Sequence, residues 1–371
     1  MQRLAPLLVG VMMTWVTAAL AQTPDYIIQL NDAPLKTLSE LQAHPPAPAP
    51  NKAHSLPKTT AGHAPRAAKA RIGLLLPTES RLLGEAATVV RSGFEAAAAT
   101  DQSAEVMIVD ASEHNVASRY RQAVAAGVTV MVGPLSRSSI AAVAPQVTVP
   151  TLALNSLDKD ITPNAKLYSL SLTVEGEARQ MARVMHADGR RAPLVILDDD
   201  ALSRRLQQAF AEEWRALTGM VPASIVDTDR NPLEVLTAAA PADGVFLALE
   251  PLRAAQLKPQ LATDQAVYAT SQVNTREPDQ RLAGIRFIDM PWFLMAQHPA
   301  VKRYPRPTQA MTLQTERLYA LGIDAYRMAV QLARSRSSAN LRLDGVTGDL
   351  RVGKNRVVER QLPVSIMGSG N

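Results

Sequence analysis

From Arg71 onward the chain alternates short, unbroken apolar runs with longer stretches whose apolar residues return every three or four positions, and this alternation constrains the fold more than any other feature. Ile72-Gly73-Leu74-Leu75-Leu76 runs into Pro77. A short run apolar at every position marks a strand covered on both faces. Leu82, Leu83, Ala86, Val89, Val90, Gly93, Phe94 and Ala97 then form the single stripe of a helix lying on a sheet. The unit repeats: a strand at Val106–Val109, a helix at Val116–Ala126 closed by Gly127, a strand at Val128–Val132, a turn at Gly133-Pro134, a helix from about Ser138, and a strand at Pro150–Leu154. Further on, helices at Glu175–His186 and Ala201–Leu217 intervene with strands at Pro193–Leu197 and Gly244–Leu249. Parallel neighbours need crossover connections, so the pattern predicts an α/β fold of parallel sheets flanked by helices. Its length, about 300 residues, exceeds what one core holds, which predicts two lobes with a cleft between them.

The N-terminus reads differently. Arg3, the apolar run Leu4–Leu20 and the small-residue pattern Ala19-Leu20-Ala21 form a cleavable secretory signal over residues 1–21. No later stretch approaches the roughly 20 apolar residues of a spanning helix, so the expected product is periplasmic and soluble after cleavage, without a membrane anchor. Residues 22–70 carry little hydrophobic periodicity and alternate proline with alanine at Pro45, Pro46, Pro48 and Pro50, which reads as a disordered tether. His44, His54 and His63 in it are scattered linker residues rather than a metal site. The chain has no cysteine, which excludes disulfides, thiolate metal sites, a cysteine nucleophile and a lipobox cysteine. A net charge of +5, from 39 basic and 34 acidic residues, gives no concentrated basic stripe for nucleic acid. Lys302-Arg303-Tyr304-Pro305-Arg306 reads as a solvated loop.

Motifs of catalysis fail on inspection. Gly348-Asp349-Leu350-Arg351-Val352-Gly353-Lys354-Asn355 comes within one residue of a phosphate loop, but Asn355 replaces the magnesium-binding hydroxyl, and the segment alternates like a hairpin instead of opening a helix. Asp198-Asp199-Asp200 follows a buried strand, where carboxylates either hold a hard cation or cap the helix that begins at Ala201. No metalloprotease pair or nucleophile elbow occurs. The reading is therefore of a chain that is not an enzyme and takes no cofactor or metal. Polar strand tips remain: Thr78, Glu79, Ser136, Ser138, Asn155, Ser156, Asp198 and Ser271 are the candidate cleft residues, able to hydrogen-bond a small polar ligand or to cap helices.

Individual segments carry a resemblance. Arg71–Pro77, Val132-Gly-Pro-Leu135 and Val149–Asn155 resemble the first lobe of type I periplasmic-binding folds. Gly244–Ala248, Val267–Ser271, Asp289-Met-Pro-Trp292, Leu321–Arg327 and Gly345–Gly348 are similar to the C-terminal domain of the LppC family, the outer-membrane lipoprotein activators of class A penicillin-binding proteins. The resemblance implies a domain over residues 71–366, with lobe 1 at about 71–170 and 291–345, lobe 2 at about 171–290 and 346–366, and a tail at 367–371. It implies a non-enzymatic regulator that docks on a class A peptidoglycan synthase and raises its activity. Family members carry a lipobox cysteine and a helical-repeat domain ahead of this one, where this sequence has its tether. Trp292, Arg303, Tyr304 and Arg306 are the candidate partner contacts, because aromatic and Arg side chains dominate interface energetics, although Trp292 suits a core equally. The alternative is a solute-binding protein for an amino acid or similar polar molecule. In such relatives hydroxyls like those of Ser136, Ser138 and Ser156, beside Asn155, hold the carboxylate, and an acid such as Asp198 or Glu250 would hold the ammonium.

Overall fold

The computed structural model describes residues 69–158, 161, 164–228, 231–277, 279–335, 341–353 and 355–368. The signal and almost the whole of the tether lie outside the described residues. The first sheet comprises β1 (Ala70–Leu76), β2 (Ala104–Asp110), β3 (Val130–Val132), β4 (Thr151–Ala153) and β5 (Leu167–Ser169), all parallel, in the order β2-β1-β3-β4-β5. Helices α1 (Gly84–Thr100), α2 (Val116–Ala125) and α3 (Arg137–Val143) connect them. The parallel pairing expected from crossovers is met; the run of central β1 is fully covered, Ile72, Leu74 and Leu75 exposing nothing, whereas the run Val106–Val109 on edge strand β2 is mostly half-buried. The helical stripe begins two residues later than its apolar pattern suggests. Leu82 precedes α1 and is exposed, while Ala87, Val90, Phe94 and Ala97 form the buried face.

After β5 the chain crosses to a second sheet. It contains α4 (Val174–Ala187), β6 (Pro193–Leu197), α5 (Ala201–Thr218), β7 (Ala223–Val226), α6 (Pro232–Ala239), β8 (Gly244–Ala248), α7 (Pro251–Leu257), β9 (Val267–Ala269) and β10 (Arg286–Ile288). Pro193–Leu197 and Ala201 onward fall where the apolar periodicity placed them. Asp200 caps α5 by accepting from the amides of Leu202 and Ser203, and Gly219 ends it in the left-handed region, where a side chain would be strained.

The chain then returns to the first lobe through α8 (Pro291–Leu294), α9 (Pro299–Lys302) and the long α10 (Leu313–Arg334), followed by the antiparallel sheet β11 (Arg342–Asp344), β12 (Asp349–Val352) and β13 (Val358–Gln361). Only β14 (Val364–Ile366) rejoins the second sheet, antiparallel to β10. The second sheet runs β14-β10-β9-β8-β6-β7. The expectation that residues 346–366 accompany the second lobe is thus corrected. Val346, Leu350, Val352 and Val358 pack in the first core, because their apolar face meets α10, and the last crossing falls at about Leu362.

Helices α1 and α10 meet backbone to backbone. A Cβ placed on Gly93 would sit 1.9 Å from the Tyr319 carbonyl oxygen, and one on Gly322 would sit 2.0 Å from that of Val90. Glycine at both positions lets Phe94 and Tyr326 pack edge to face, with ring centroids 5.2 Å apart.

Candidate inter-lobe cleft

Strand tips of both sheets open onto a cavity of about 710 Å³. Leu154, Asn155 and Ser156 follow β4, Asp200 follows β6, Glu250 follows β8, Ser271 and Gln272 follow β9, and Met290 follows β10. The N-terminal turns of α4 and α10 complete the wall with Val174, Glu175, Leu313 and Gln314. In an open α/β sheet ligands collect at this end.

The structure brings together three of the eight candidate cleft residues, Asn155, Ser156 and Ser271. The others are absent from the lining, for local reasons. The Thr78 amide and hydroxyl donate to Asp110 Oδ1 at 2.9 and 2.5 Å. Glu79 is exposed on the loop that follows β1. Ser136 caps α3 by accepting from Ser139 N, and the Ser138 hydroxyl donates to Glu113 at 2.7 Å. Asp198 accepts from the Glu250 amide at 3.0 Å, and its carboxyl is raised above the ordinary range, chiefly by burial.

Several charged groups of the lining are paired with neighbours. Glu175 accepts from Arg205 Nε at 2.6 Å, Arg137 approaches Asp158 at 3.5 Å, and Arg276 Nη2 donates to Glu316 at 2.9 Å. Deeper lies a buried network that sequence reasoning missed. Arg317 of α10 donates to Asp289 Oδ2 at 2.7 Å and to the Ser271 carbonyl at 3.1 Å, and Asn274 donates to the same Asp289 oxygen at 2.8 Å. Glu177 of α4 accepts from Ser271 N at 3.0 Å and lies 3.6 Å from Arg360 of β13. Burial pushes the Glu177 carboxyl up and the Arg360 guanidinium down, while each favours the charged form of the other. Next to them Asp324 accepts from the amides of Val346 and Thr347, the Thr347 hydroxyl and Arg327. Two buried ion pairs, Arg317–Asp289 and Glu177–Arg360, therefore join the lobes beside the crossings. The signal was present in the sequence: Glu177 interrupts the apolar stripe formed by Ala178, Met181, Ala182 and Met185.

The four candidate partner contacts divide by burial. Trp292 is fully buried, its indole donating to Glu316 Oε1 at 2.9 Å, and Tyr304 is 5 % exposed in the same core. Apolar neighbours on α10 draw both rings inward. Arg306 lies 3.9 Å from the centroid of the Trp292 ring and donates to the Trp292 carbonyl at 2.7 Å. Arg303 and Arg306 both keep exposed side chains, the Arg303 guanidinium lying 5.9 Å from the Tyr304 ring.

Two largely parallel sheets wrapped by helices, three crossings and a cleft at the strand tips define a type I periplasmic-binding-protein-like module. The chain belongs to the family described as "LppC putative lipoprotein", whose signature it matches over residues 37–231 and 237–369. Among curated relatives, the penicillin-binding protein activator LpoA of Klebsiella pneumoniae is 27 % identical over 310 residues, covering 72 % of this chain and 44 % of that protein. LpoA of Haemophilus influenzae is 28 % identical over 319 residues, 79 % of this chain and 53 % of that protein. The chain thus spans about half the length of these relatives. A structure from Chromobacterium violaceum described as a "putative branched-chain amino acid ABC transporter" is 60 % identical with a TM-score of 0.78, covering 81 % of this chain and 100 % of that one. The C-domain of Haemophilus influenzae LpoA, described as a regulator of PBP1A, is 28 % identical with a TM-score of 0.70, covering 81 % and 98 %.

Proposed function

We propose that this protein is a non-enzymatic periplasmic regulator that docks on a class A penicillin-binding protein and stimulates its synthase activity. The observation carrying this reading is that its folded part is matched by an LpoA C-domain over nearly that domain's whole length. The state of the cleft supports it: most of its charged groups are paired with neighbours, and two buried ion pairs tie the lobes together. The test is a glycan polymerisation assay on a purified class A synthase with and without the processed protein, alongside co-purification from solubilised envelope. Stimulation of several-fold at stoichiometric protein is expected. A synthase that neither binds the protein nor changes rate refutes the reading.

A second reading, solute binding, draws on the 60 % identical structure and on Asn155, Ser156 and Ser271 around the cavity. It is less supported, because the acid expected for an ammonium group, Asp198, turns to the Glu250 amide. Glu250 itself lines the cavity, so thermal shift with the twenty amino acids is the deciding assay. A ligand at 100 times its Kd adds about 2.7 kcal/mol.

A further inference from the structure

A second groove, of about 770 Å³, shares Ser171, Thr173 and Glu177 with the cleft but opens between α4 and the three-stranded sheet. Its walls carry Arg179, Arg183, Arg342, Arg351 and Arg360 against Glu177, Asp349 and Glu359. Arg179 and Arg183 stand one turn apart on α4, hence on one face. Across the groove Arg342 and Arg351 sit directly opposite each other in the β11–β12 ladder, both exposed. Like charges in that register destabilise a sheet, so the fold keeps them at a cost.

The carboxylates already present show what these guanidiniums accept. Arg179 reaches Glu212 at 3.0 Å, Arg183 reaches Glu213 at 2.9 Å and Arg351 reaches Glu359 at 2.6 Å. All three pairs are substantially exposed, and such pairs contribute only about 0–1 kcal/mol each, so an incoming carboxylate displaces them at little cost.

The groove also has a backbone wall. β13 ends the sheet order β11-β12-β13, and the six consecutive residues Val357 to Leu362 all line the groove, as a strand does when its edge is turned toward it. At the far end the Gln180 amide donates to the Leu362 carbonyl at 2.7 Å and accepts from the Leu362 amide at 2.9 Å, the pair of bonds a neighbouring strand makes. At the near end Val357 bridges Ser169 of β5, so between these two ends the short stretch Val358–Gln361 faces fixed positive charge, which fits an extended chain with alternating acidic side chains.

We propose that this groove docks an acidic, extended segment of a partner protein, its backbone along β13 and its carboxylates on Arg183, Arg342 and Arg351. The inference rests on the activator reading only for the identity of that partner. The test uses the processed chain and a fluorescent ten-residue peptide of alternating Glu and Thr, with fluorescence anisotropy as the readout. Binding is expected to weaken at least about tenfold when salt rises from about 0.05 to 0.5 M, since screening acts on exposed charges. The double variant Arg183→Glu with Arg342→Glu is expected to weaken it by a similar factor with an unchanged melting temperature, both residues being exposed. No binding by the acidic peptide at low salt, equal binding by a Gln-Thr peptide or by polyphosphate of the same charge, or full affinity in the double variant overturns the proposal. The peptide reads the groove alone. A protein that binds it but stimulates no synthase refutes the activator reading and leaves the groove; one that stimulates a synthase but ignores the peptide does the reverse.

Discussion

Gly322→Ala probes the seam on which the first lobe is built. The new Cβ falls 2.0 Å from the Val90 carbonyl oxygen, a backbone atom that no rotamer change can move. Helices α1 and α10 must part by about 1 Å or more, and a gap of 0.5–1 Å already forfeits a quarter to a half of the dispersion energy across it. Val90, Phe94 and Ala97 meet Tyr319, Ile323 and Tyr326 in this core. A quarter of the burial energy of these side chains, at about 1.5–3 kcal/mol for each large one, comes to about 3 kcal/mol. Alanine returns about 1 kcal/mol of helix propensity over glycine, leaving a net loss of about 2 kcal/mol. At about 2.1 cal/mol/K per residue, that lowers the melting temperature by about 3 °C if both lobes unfold together and by about 6 °C if the first unfolds alone. Trp292 lies in the first core and Trp214 in the second, so urea melts followed by fluorescence in a Trp214→Phe background report the affected lobe. Gly93→Ala should cost a similar amount, and the double variant less than the sum, because the helices have already separated. Stability unchanged or raised by Gly322→Ala refutes the close-contact reasoning.

The remaining predictions concern the buried charges and the candidate partner contacts. Arg317→Leu leaves Asp289 buried without its cation and should cost about 3–5 kcal/mol in chemical denaturation, whereas Asp289→Asn with Arg317→Leu together should cost less than the two singly. A double variant as unstable as the sum counts against a coupled pair. The raised carboxyl of Glu177 means that the folded chain retains a proton the unfolded chain releases near the ordinary value of 4.5; its stabilising contribution is full below that pH and is lost as pH rises through the folded pKa. Stability measured against pH should therefore fall less steeply across this window in Glu177→Gln than in the parent, and identical slopes refute the assignment. Trp292→Ala should destabilise by about 3–5 kcal/mol, with loss of synthase binding only in proportion to unfolding. Arg303→Glu should leave stability unchanged, and a large change in its melting temperature refutes the placement of that side chain in solvent.

What the sequence made legible follows from where apolar residues dominate. The strands at Ile72–Leu76 and Pro193–Leu197 and the helices from Glu175 and Ala201 emerge within a residue or two of their expected places, because burial on a sheet leaves an unambiguous period. Asp200 proved a helix cap, as its position before Ala201 allowed. The strand tips were less legible. Ser136, Ser138 and Thr78 are polar at the correct end of the sheet, yet each is turned toward a neighbouring amide or carboxylate, a choice made by tertiary contacts that residue type does not encode. The aromatic-basic segment around Tyr304 suggested an interface on composition alone, while its rings answer to α10, which lies adjacent in space. Arg137 went unnoticed between two serines, although it lines the cavity. Glu177, Arg317 and Arg360 were missed because charges scattered over some 180 positions reveal their pairing only after the chain has crossed three times.

The interleaving of the lobes bears on how the chain acquires its shape. α1 is seated against α10, more than two hundred positions downstream, and β10 is flanked by β14 near the C-terminus. The face of the first sheet under α2 and α3 draws only on residues up to Leu167, whereas the face that carries α1 waits for α10. Contacts of such long range close slowly. A chain of this topology leaves the apolar face of β1 and α1 open until α10 has been made.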